Sequence, residues 1–267
     1  MKESLTNPHF STMFTPVIAE QVTASSPSVT ADGVSISEPP QKARAALYVD
    51  GFNLYHAIDE LGQPHLKWLN LFSLGSRILN RNKESLVKVR YCTALKPGDT
   101  DKNKRHREYI TALKWFNVKV QQGHFIEDEM DCRKCGHAWD APKEKETDVN
   151  IALLLFDDAY QDVFDVAYLL TADSDQGATA RMLKRRFPKK RLVSVVPPGM
   201  DASKAIMTHA DDRYTLNAGL IEECLLPAVE LDARRGGAVA FQRPKEYHPP
   251  AGWVPPDKRP KKQNKAS

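Results

Sequence analysis

The chain has 267 residues, of which 41% are hydrophobic, and this suits one domain with polar ends or two small domains. Its four cysteines are too few for a disulfide scaffold, and no apolar run approaches the roughly 18 residues of a membrane span. The formal net charge of +4 excludes a strongly acidic or strongly basic chain, and we expect a cytoplasmic protein without a membrane partner.

Both ends of the sequence have the composition of disordered segments. Residues 1–43 are rich in Ser, Thr, Pro and Val and show no helical period. Residues 232–267 are dominated by Gly, Pro and Lys, and their last part, 243–267, carries seven lysines and arginines against two acids. Such a basic tail can attract polyanions or simply keep the protein in solution, and the sequence leaves both roles open.

Between these ends, residues 44–231 alternate between strand-like and helix-like patterns and are predicted to form one domain. In chain order, the predicted strands are 44–50, 86–95, 117–125, 165–175 and 191–198. The predicted helices are 52–60, 68–80, 101–116, 147–161 and 176–187, and the region after 204 should be mostly helical with one short strand. A polar insert that contains two of the cysteines, 126–146, interrupts this alternation.

The segment 147–161 carries a strong helical pattern. Its first residue, Thr147, is of a type that caps helix N-termini by accepting a hydrogen bond from a free backbone N–H. Apolar residues then recur at helical spacing, at Val149, Ala152, Leu153 and Phe156. We therefore expect these four side chains to form the face that packs on the rest of the domain.

The order of the predicted elements defines the fold class. Strands alternate with helices, and the first and fourth strands, 44–50 and 165–175, are apolar along most of their length. Strands of this kind are buried on both faces, so we expect an α/β fold of three layers with a central, mainly parallel sheet. Ligands of such sheets bind outside the carboxyl ends of the strands, where the strand order reverses.

Carboxylates stand at the predicted binding edge. Asp50 ends the first strand, Asp173 and Asp175 follow the fourth, and Asp148 lies in the first turn of the helix that precedes it. If the first and fourth strands are neighbours, these acids share one crevice, where they repel unless a cation lies among them. Oxygen ligands favour Mg²⁺ or Mn²⁺ over zinc. Each acid alone is more typical of a cap or a turn, and only the combination indicates a metal site.

Three segments resemble a known family. They are YVDGFNLYHAI, EKETDVNIALLLFDDAYQDVFDVAYLLTADSDQ and VSVVPPG, and they are similar to the NYN domain of the PIN-like nuclease superfamily, in particular its LabA-like group. The resemblance covers about residues 44–226, and the order and spacing of the motifs are specific. It implies a PIN-like three-layer fold and metal-dependent cleavage of RNA.

The resemblance also implies roles for individual residues. The family's acidic site falls on Asp50, Asp148, Asp173 and Asp175 of this sequence, with Asn53 as a polar helper that contacts the scissile phosphate or a metal-bound water. Asp50, Asp148 and Asp173 would hold one or two Mg²⁺ or Mn²⁺ ions, and Asp175 would lie beside them. Hydrolysis at such a site would leave a 5′-phosphate and a 3′-hydroxyl.

Substrate-binding residues are expected next to the acids. Thr171 matches a family position that is commonly Ser, and its hydroxyl would orient the acids, while Ser174 lies between two of them. Lys145, three residues before the helix acid, is placed to follow the phosphate backbone. The chain departs from the family at Ala172, where Gly is common, and at Gln176, where an apolar residue is common, and the latter puts substrate contact at that position in doubt.

The polar insert offers a second metal site. Cys132 and Cys135 have the C-x₂-C spacing that lets two thiolates bind one tetrahedral ion, and His137 follows closely. A structural zinc needs about four ligands, and the chain has no second C-x₂-C motif, so His124 or a partner subunit would have to complete the set. A free or redox-sensitive pair of thiols is the alternative.

We therefore expect a ribonuclease, an endonuclease more than an exonuclease, that acts on single-stranded or structured RNA. The alternative is a module of the same fold with weak or no activity, which binds nucleic acid or acts as an adaptor. A haloacid-dehalogenase-like phosphatase also has an Asp after its first strand, but it needs a second Asp two residues later, where this chain has Phe52. A homodimer is compatible with the sequence, which does not determine the oligomeric state.

Overall fold

The computed structural model describes residues 41–98, 100–131 and 133–260. The N-terminal segment predicted to be disordered lies outside this part of the chain except for its last residues, and so do residues 261–267. None of the helices within the described ranges has both the length and the apolar character that crossing a membrane requires.

The described chain forms a six-stranded sheet, two small hairpins and seven α-helices. The strands are β1 (Ala43–Asp50), β2 (Glu84–Thr93), β3 (Lys119–Gln122), β4 (His124–Asp131), β5 (Ala138–Lys145), β6 (Val166–Leu170), β7 (Arg191–Val196), β8 (Asp212–Thr215), β9 (Val229–Asp232) and β10 (Ala238–Gln242). The helices are α1 (Gly51–Glu60), α2 (Leu71–Ile78), α3 (Asp101–Trp115), α4 (Thr147–Tyr160), α5 (Gln176–Arg186), α6 (Lys204–Met207) and α7 (Ala218–Glu222).

The central sheet has the order β3-β2-β1-β6-β7-β8, and all its strands are parallel. The first predicted strand, β1, pairs directly with the fourth, β6, so that Val49 lies opposite Leu170. This confirms the neighbourhood on which the proposed acidic crevice depends. The strand order reverses at this pair, because the chain runs from β1 outward to β3 and then returns to the other side of β1.

Helices cover both faces of the sheet and complete the three-layer α/β fold. Side chains of β1 alternate between the two faces, as in any strand. Leu47 and Val49 join the core with α1, α2 and α3, whereas Tyr48 joins the core with α4 and α5. The predicted fold class is therefore confirmed, since β1 and β6 are buried on both faces.

Helix α4 packs through a face that matches the prediction only in part: Phe156 is partly buried against the core, but two of the predicted residues are exposed. Val149 and Leu153 are 58% and 61% exposed, whereas Ile151 and Leu155 are fully buried. The buried face also includes Asp158, which is 0% exposed and accepts a hydrogen bond from the Tyr48 hydroxyl at 2.9 Å. Hydrophobic periodicity misplaced the face because the residue that joins α4 to the sheet is a charged one.

The Asp158 carboxylate is held by cations of the neighbouring strand β2. Lys88 Nζ lies 2.7 Å from one oxygen, and Arg90 donates to both oxygens at 2.7 and 3.0 Å. Burial alone would raise the pKa of Asp158, but hydrogen bonds from Arg90, Lys88 and Tyr48 bring it below its ordinary value. The charge therefore remains on the buried carboxylate and fixes α4 across β1 and β2.

The N-terminus of α4 also differs from the prediction. Thr147 is not the cap but the first helical residue, and its backbone N and hydroxyl both donate to Glu144 Oε1. Glu146, the residue before the helix, has a left-handed backbone with φ of 78°. The carboxylate three residues before Thr147 therefore does the capping that we expected from the Thr147 side chain.

The C-terminal region is ordered further along the chain than the sequence indicated. Residues 232–258, assigned to a disordered tail, include β10 and short 3₁₀ turns at 245–247 and 256–258. Phe241 and Tyr247 are buried against Trp68, whose indole N–H donates to the Pro227 carbonyl at 2.9 Å.

The region after residue 204, which we predicted to be mostly helical with one short strand, contains the two short helices α6 and α7 with β8 between them.

Replacing the buried carboxylate should destabilise the protein. In Asp158→Asn, Lys88 and Arg90 would keep their charges but lose their counter-charge, which should lower the free energy of unfolding by about 2–4 kcal/mol. Urea denaturation followed by circular dichroism would measure this change. The neighbouring exposed substitution Asp157→Asn, whose carboxylate accepts from Gln161, is the matched control and should change stability by less than about 0.5 kcal/mol. Equal unfolding midpoints for the two variants would contradict this role.

Candidate active site

Asp50 ends β1 and is only 3% exposed, yet both of its carboxylate oxygens have partners. Oδ1 accepts a hydrogen bond from the backbone N of Asn53 at 3.0 Å and so caps helix α1. Oδ2 accepts from the Thr171 hydroxyl at 3.0 Å, across the gap between β1 and β6. Burial is the main reason why the pKa of Asp50 is raised, and these hydrogen bonds oppose that effect.

The loop after β6 is tied to the same point by a chain of hydrogen bonds. The Thr171 hydroxyl accepts from the backbone N of Asp173 at 3.1 Å, and Asp173 Oδ1 accepts from the backbone N of Asp175 at 2.9 Å. Asn53 Oδ1 accepts from the backbone N of Ala172 at 2.9 Å. The structure thus brings Asn53, Thr171, Asp173 and Asp175 to the carboxyl edge of the sheet beside Asp50.

Asp148, in the first turn of α4, is close enough to these acids for their charges to act on its carboxyl group. Its pKa is raised to about 6, first by partial burial and then by nearby negative charges, which belong to Asp50, Asp173, Glu144 and Asp175. Charges act this strongly only over short distances. The four predicted acids therefore influence one another in one region of the molecule, although they come from distant parts of the chain.

Gln176 holds the start of α4 at this region. Its side-chain amide donates to the backbone carbonyl of Asp148 at 3.0 Å, and its carbonyl accepts from the Thr179 hydroxyl at 2.8 Å. Gln176 is 2% exposed, so it joins the beginnings of α4 and α5 inside the protein. The departure from the family pattern at this position thus corresponds to a structural link, which sequence reasoning did not identify.

Glu144 is an acid that the sequence analysis missed. It lies at the end of β5, caps α4 through Thr147, and contributes to the raised pKa of Asp148. The only sequence signal was its position three residues before Thr147, since acidic residues near helix N-termini are common.

The predicted substrate-binding residues Lys145 and Ser174 lie at different places in the fold. Lys145 is half-buried at the base of the β4–β5 hairpin, and Ser174 is exposed in the loop after β6.

The acids fit a hard divalent cation by their chemistry, because carboxylates that raise one another's pKa are stabilised when a positive charge lies among them. Within the described ranges, however, no three His, Cys, Asp or Glu side chains form a ready-made metal-binding group. Both Asp50 oxygens also already accept hydrogen bonds. The donor set is suitable, and the assignment of Asp50, Asp148 and Asp173 as ligands stays a prediction.

Two of the residues proposed for zinc, Cys135 and His137, lie between the strands of the β4–β5 hairpin. Cys132 is outside the described residues; Cys135 and His137 are exposed near the tip, where His137 stacks on Trp139. His124 is at the other end of the hairpin, opposite Lys145, and at about 3.3 Å per residue β4 places it some 20 Å from the tip. His124 therefore cannot complete the set within this hairpin, and zinc at the remaining residues stays a prediction.

The chain matches one family profile and is similar to several known proteins. The NYN domain family profile matches residues 44–217. A curated relative from Pseudomonas putida, named 6-hydroxy-3-succinoylpyridine 3-monooxygenase, is 26% identical over 235 residues, with 72% of each chain covered. A solved structure of a protein of unknown function from Vibrio parahaemolyticus is 17% identical, with a TM-score of 0.46, and covers 72% of this chain and 100% of its own.

The raised pKa of Asp148 predicts a pH-dependent cost to stability. Because its pKa is higher in the folded than in the unfolded protein, Asp148 binds its proton more tightly in the folded state. Protonation of Asp148 therefore stabilises the fold at low pH, and this stabilisation is lost as the pH rises through the folded value near 6. Asp148→Asn should therefore raise the melting temperature more at pH 7.5 than at pH 4.5, in buffer with EDTA. Thermal unfolding of both proteins would measure the difference.

The control for this experiment is Asp157→Asn, which also removes one charge from α4 but lies away from the other acids. Its effect on the melting temperature should not grow between pH 4.5 and 7.5. An Asp148→Asn effect that is the same at both pH values would show that the neighbouring carboxylates do not act on Asp148.

Proposed function

The chain belongs to the NYN domain family, and from this premise we propose that it is a ribonuclease that hydrolyses RNA phosphodiester bonds with the help of Mg²⁺ or Mn²⁺. Members of this family are generally nucleases that act on RNA. The observation that carries the proposal is the shared electrostatic field of Asp50, Asp148, Asp173 and Asp175 at the carboxyl edge of the sheet. Endonucleolytic cleavage is the more specific form of the proposal.

Asp50, Asp148 and Asp173 would hold the metal, with Asp175 beside them. A bound Mg²⁺ or Mn²⁺ supplies Lewis-acid chemistry, which activates water and stabilises charge on the phosphate. The chain's own residues prepare this site. Thr171 fixes the direction of the Asp50 carboxylate through its 3.0 Å hydrogen bond and also holds the backbone of Asp173.

Asn53 is suited to bind the phosphate that is cleaved. Its Oδ1 accepts from Ala172, which fixes the amide plane at the end of β1. None of the described residues accepts a hydrogen bond from its Nδ2, so this group can donate to a phosphate oxygen. Lys145, three residues before Asp148, and Ser174, between Asp173 and Asp175, are the other residues that we assign to the RNA strand.

Two alternatives remain to be distinguished from this proposal. In the first, the chain is a binding or adaptor module with little activity, which would retain RNA without cleaving it. The second is the oxidation of an aromatic acid, as in the name of the Pseudomonas putida relative. A cavity beside α1, lined by tyrosines and lysines, is of a kind that an aromatic acid could enter. We rank this oxidation below RNA hydrolysis because it gives no role to the clustered acids.

Removing single carboxylates should abolish cleavage. With end-labelled single-stranded RNA and Mn²⁺, Asp148→Asn and Asp173→Asn should each lower the rate at least about 100-fold, because each removes a charge that the metal needs. Asn keeps the oxygen with which Asp173 accepts from Asp175, so the loop should remain folded. Gel electrophoresis would report the rate, and EDTA should stop the wild type. Full activity in either variant, with Asp157→Asn as the charge-matched control, would refute the site.

Thr171 should act as a positioning residue. Thr171→Val keeps the shape of the side chain but removes the hydroxyl that joins Asp50 to Asp173, so we expect a loss in kcat of about 10-fold or more with little change in KM. Thr171→Ser keeps the hydroxyl and should restore most of the rate, as the commonly found family residue at this position would. A purely structural role would instead make both variants equally active once they are folded.

A further inference from the structure

A cavity of about 140 Å³ lies beside the acids, on the opposite face of the sheet from α4. It is enclosed by α1, the end of β2 and α3, and aromatic rings form much of its wall, namely those of Phe52, Tyr55, Tyr91, Tyr109 and Tyr247. A cavity of roughly 150 Å³ admits one benzene-sized ring. Its size and lining therefore suit a single flat ring.

The cavity and the acidic site share a wall. Gly51 and Phe52, which line the cavity, directly follow Asp50, and Thr93, another lining residue, follows Cys92, the register partner of Asp50. The charge of Asp50 also contributes, after burial, to the raised pKa of Tyr91 in the cavity wall. A ring bound here would thus lie next to a phosphate bound at the acids.

Cations stand at the mouth of the cavity. Lys67 Nζ and Lys102 Nζ lie 4.7 and 5.5 Å from the centre of the Tyr55 ring. Lys67 is paired with Asp59, whereas Lys102 and Lys96 form no ion pair with any other part of the chain that the structure describes. These two lysines are therefore suited to meet an anion attached to a ring inside the cavity.

The inner wall offers polar groups without charge. His106 is mostly buried, and burial lowers its pKa to about 4, so its imidazole is neutral at physiological pH. Its Nε2 lies 3.1 Å from the Thr93 hydroxyl. A neutral imidazole and a hydroxyl can each donate or accept a hydrogen bond at the edge of a base, whereas a charged lysine can only donate one.

We propose that this cavity binds one pyrimidine base of the RNA strand, stacked on Tyr55, with its phosphate at Lys96 and Lys102. The inference deepens the proposed function and rests on it, because it assigns the base next to the cleaved bond. A purine has two fused rings and fits this volume less well. The enzyme should accordingly prefer substrates with C or U at one position beside the cleavage site.

The test is nucleotide binding in EDTA, measured by isothermal titration calorimetry without any cleavage. The probes are UMP, CMP, AMP, GMP, ribose 5-phosphate and benzoate. We expect UMP and CMP to bind at least about tenfold more tightly than ribose 5-phosphate, because base–aromatic stacking is worth this much or more. The purine nucleotides should bind more weakly because their two fused rings exceed the cavity, and benzoate should bind more weakly because it lacks the polar edge of a base. Tyr55→Ala and Lys102→Ala should each weaken UMP binding about tenfold, whereas Tyr55→Phe, which keeps the ring, should bind nearly normally.

Matched controls lie on the other side of the protein. Tyr160→Ala removes a tyrosine that is 71% exposed on α4, and Lys189→Ala removes an exposed lysine, and neither should change UMP binding. Equal affinity for ribose 5-phosphate and UMP, or unchanged binding in Tyr55→Ala, would overturn the base pocket. Binding of benzoate as tight as that of UMP would overturn it too, since the cavity would then recognise any aromatic anion.

The two proposals fail in distinguishable ways. A protein that binds UMP in EDTA but shows no metal-dependent cleavage of RNA would refute the nuclease and leave the base pocket supported as a binding site. A protein that cleaves RNA without preference for pyrimidines and does not bind UMP would refute the pocket alone. Sequencing the ends of the cleavage products would show the preference directly.

Discussion

The direct pairing of β1 with β6 is the constraint on which the site depends. It brings the end of one buried strand, Asp50, against the first residue after another, Thr171, at a hydrogen-bond distance of 3.0 Å. From this contact the backbone of the loop after β6 is fixed, and with it the acids at 173 and 175. An unpaired carboxylate at this depth would be costly, and its hydrogen bonds and capping role reduce that cost.

Helix α4 is positioned by polar contacts at both ends rather than by an apolar stripe alone. Near its C-terminus, Asp158 is fixed by Tyr48, Lys88 and Arg90, and at its N-terminus the backbone of Asp148 is held by Gln176. Together with the buried Ile151 and Leu155, these contacts hold the helix in one rotation about its axis. The rotation directs the first turn of α4 towards the acidic edge.

The carboxylates of the site repel one another, and the other contacts of the fold must offset this repulsion. Asp50 and Asp148 both have raised pKa values, by burial first and by neighbouring carboxylates second. Carboxyl groups with raised pKa values are common where a protein binds or transforms a ligand. The adjacent aromatic cavity shows the complementary pattern, with neutral inner groups and lysines at its mouth. The two regions together suit a ligand that combines a flat ring with phosphates.

The sequence by itself determined the parallel α/β fold and the acids at its strand ends, because apolar strands ending in a carboxylate are a local pattern visible along the chain. Only the tertiary structure decided which face of α4 is buried, that Gln176 holds the backbone of Asp148 while Glu144 caps α4, and that residues 232–258 pack on the domain. These depend on partners distant in sequence: Asp158, for example, resembles a solvated helix acid until β2 brings Lys88 and Arg90 against it. Local patterns record the burial of apolar residues, whereas the pairing of buried charges exists only once the chain has folded.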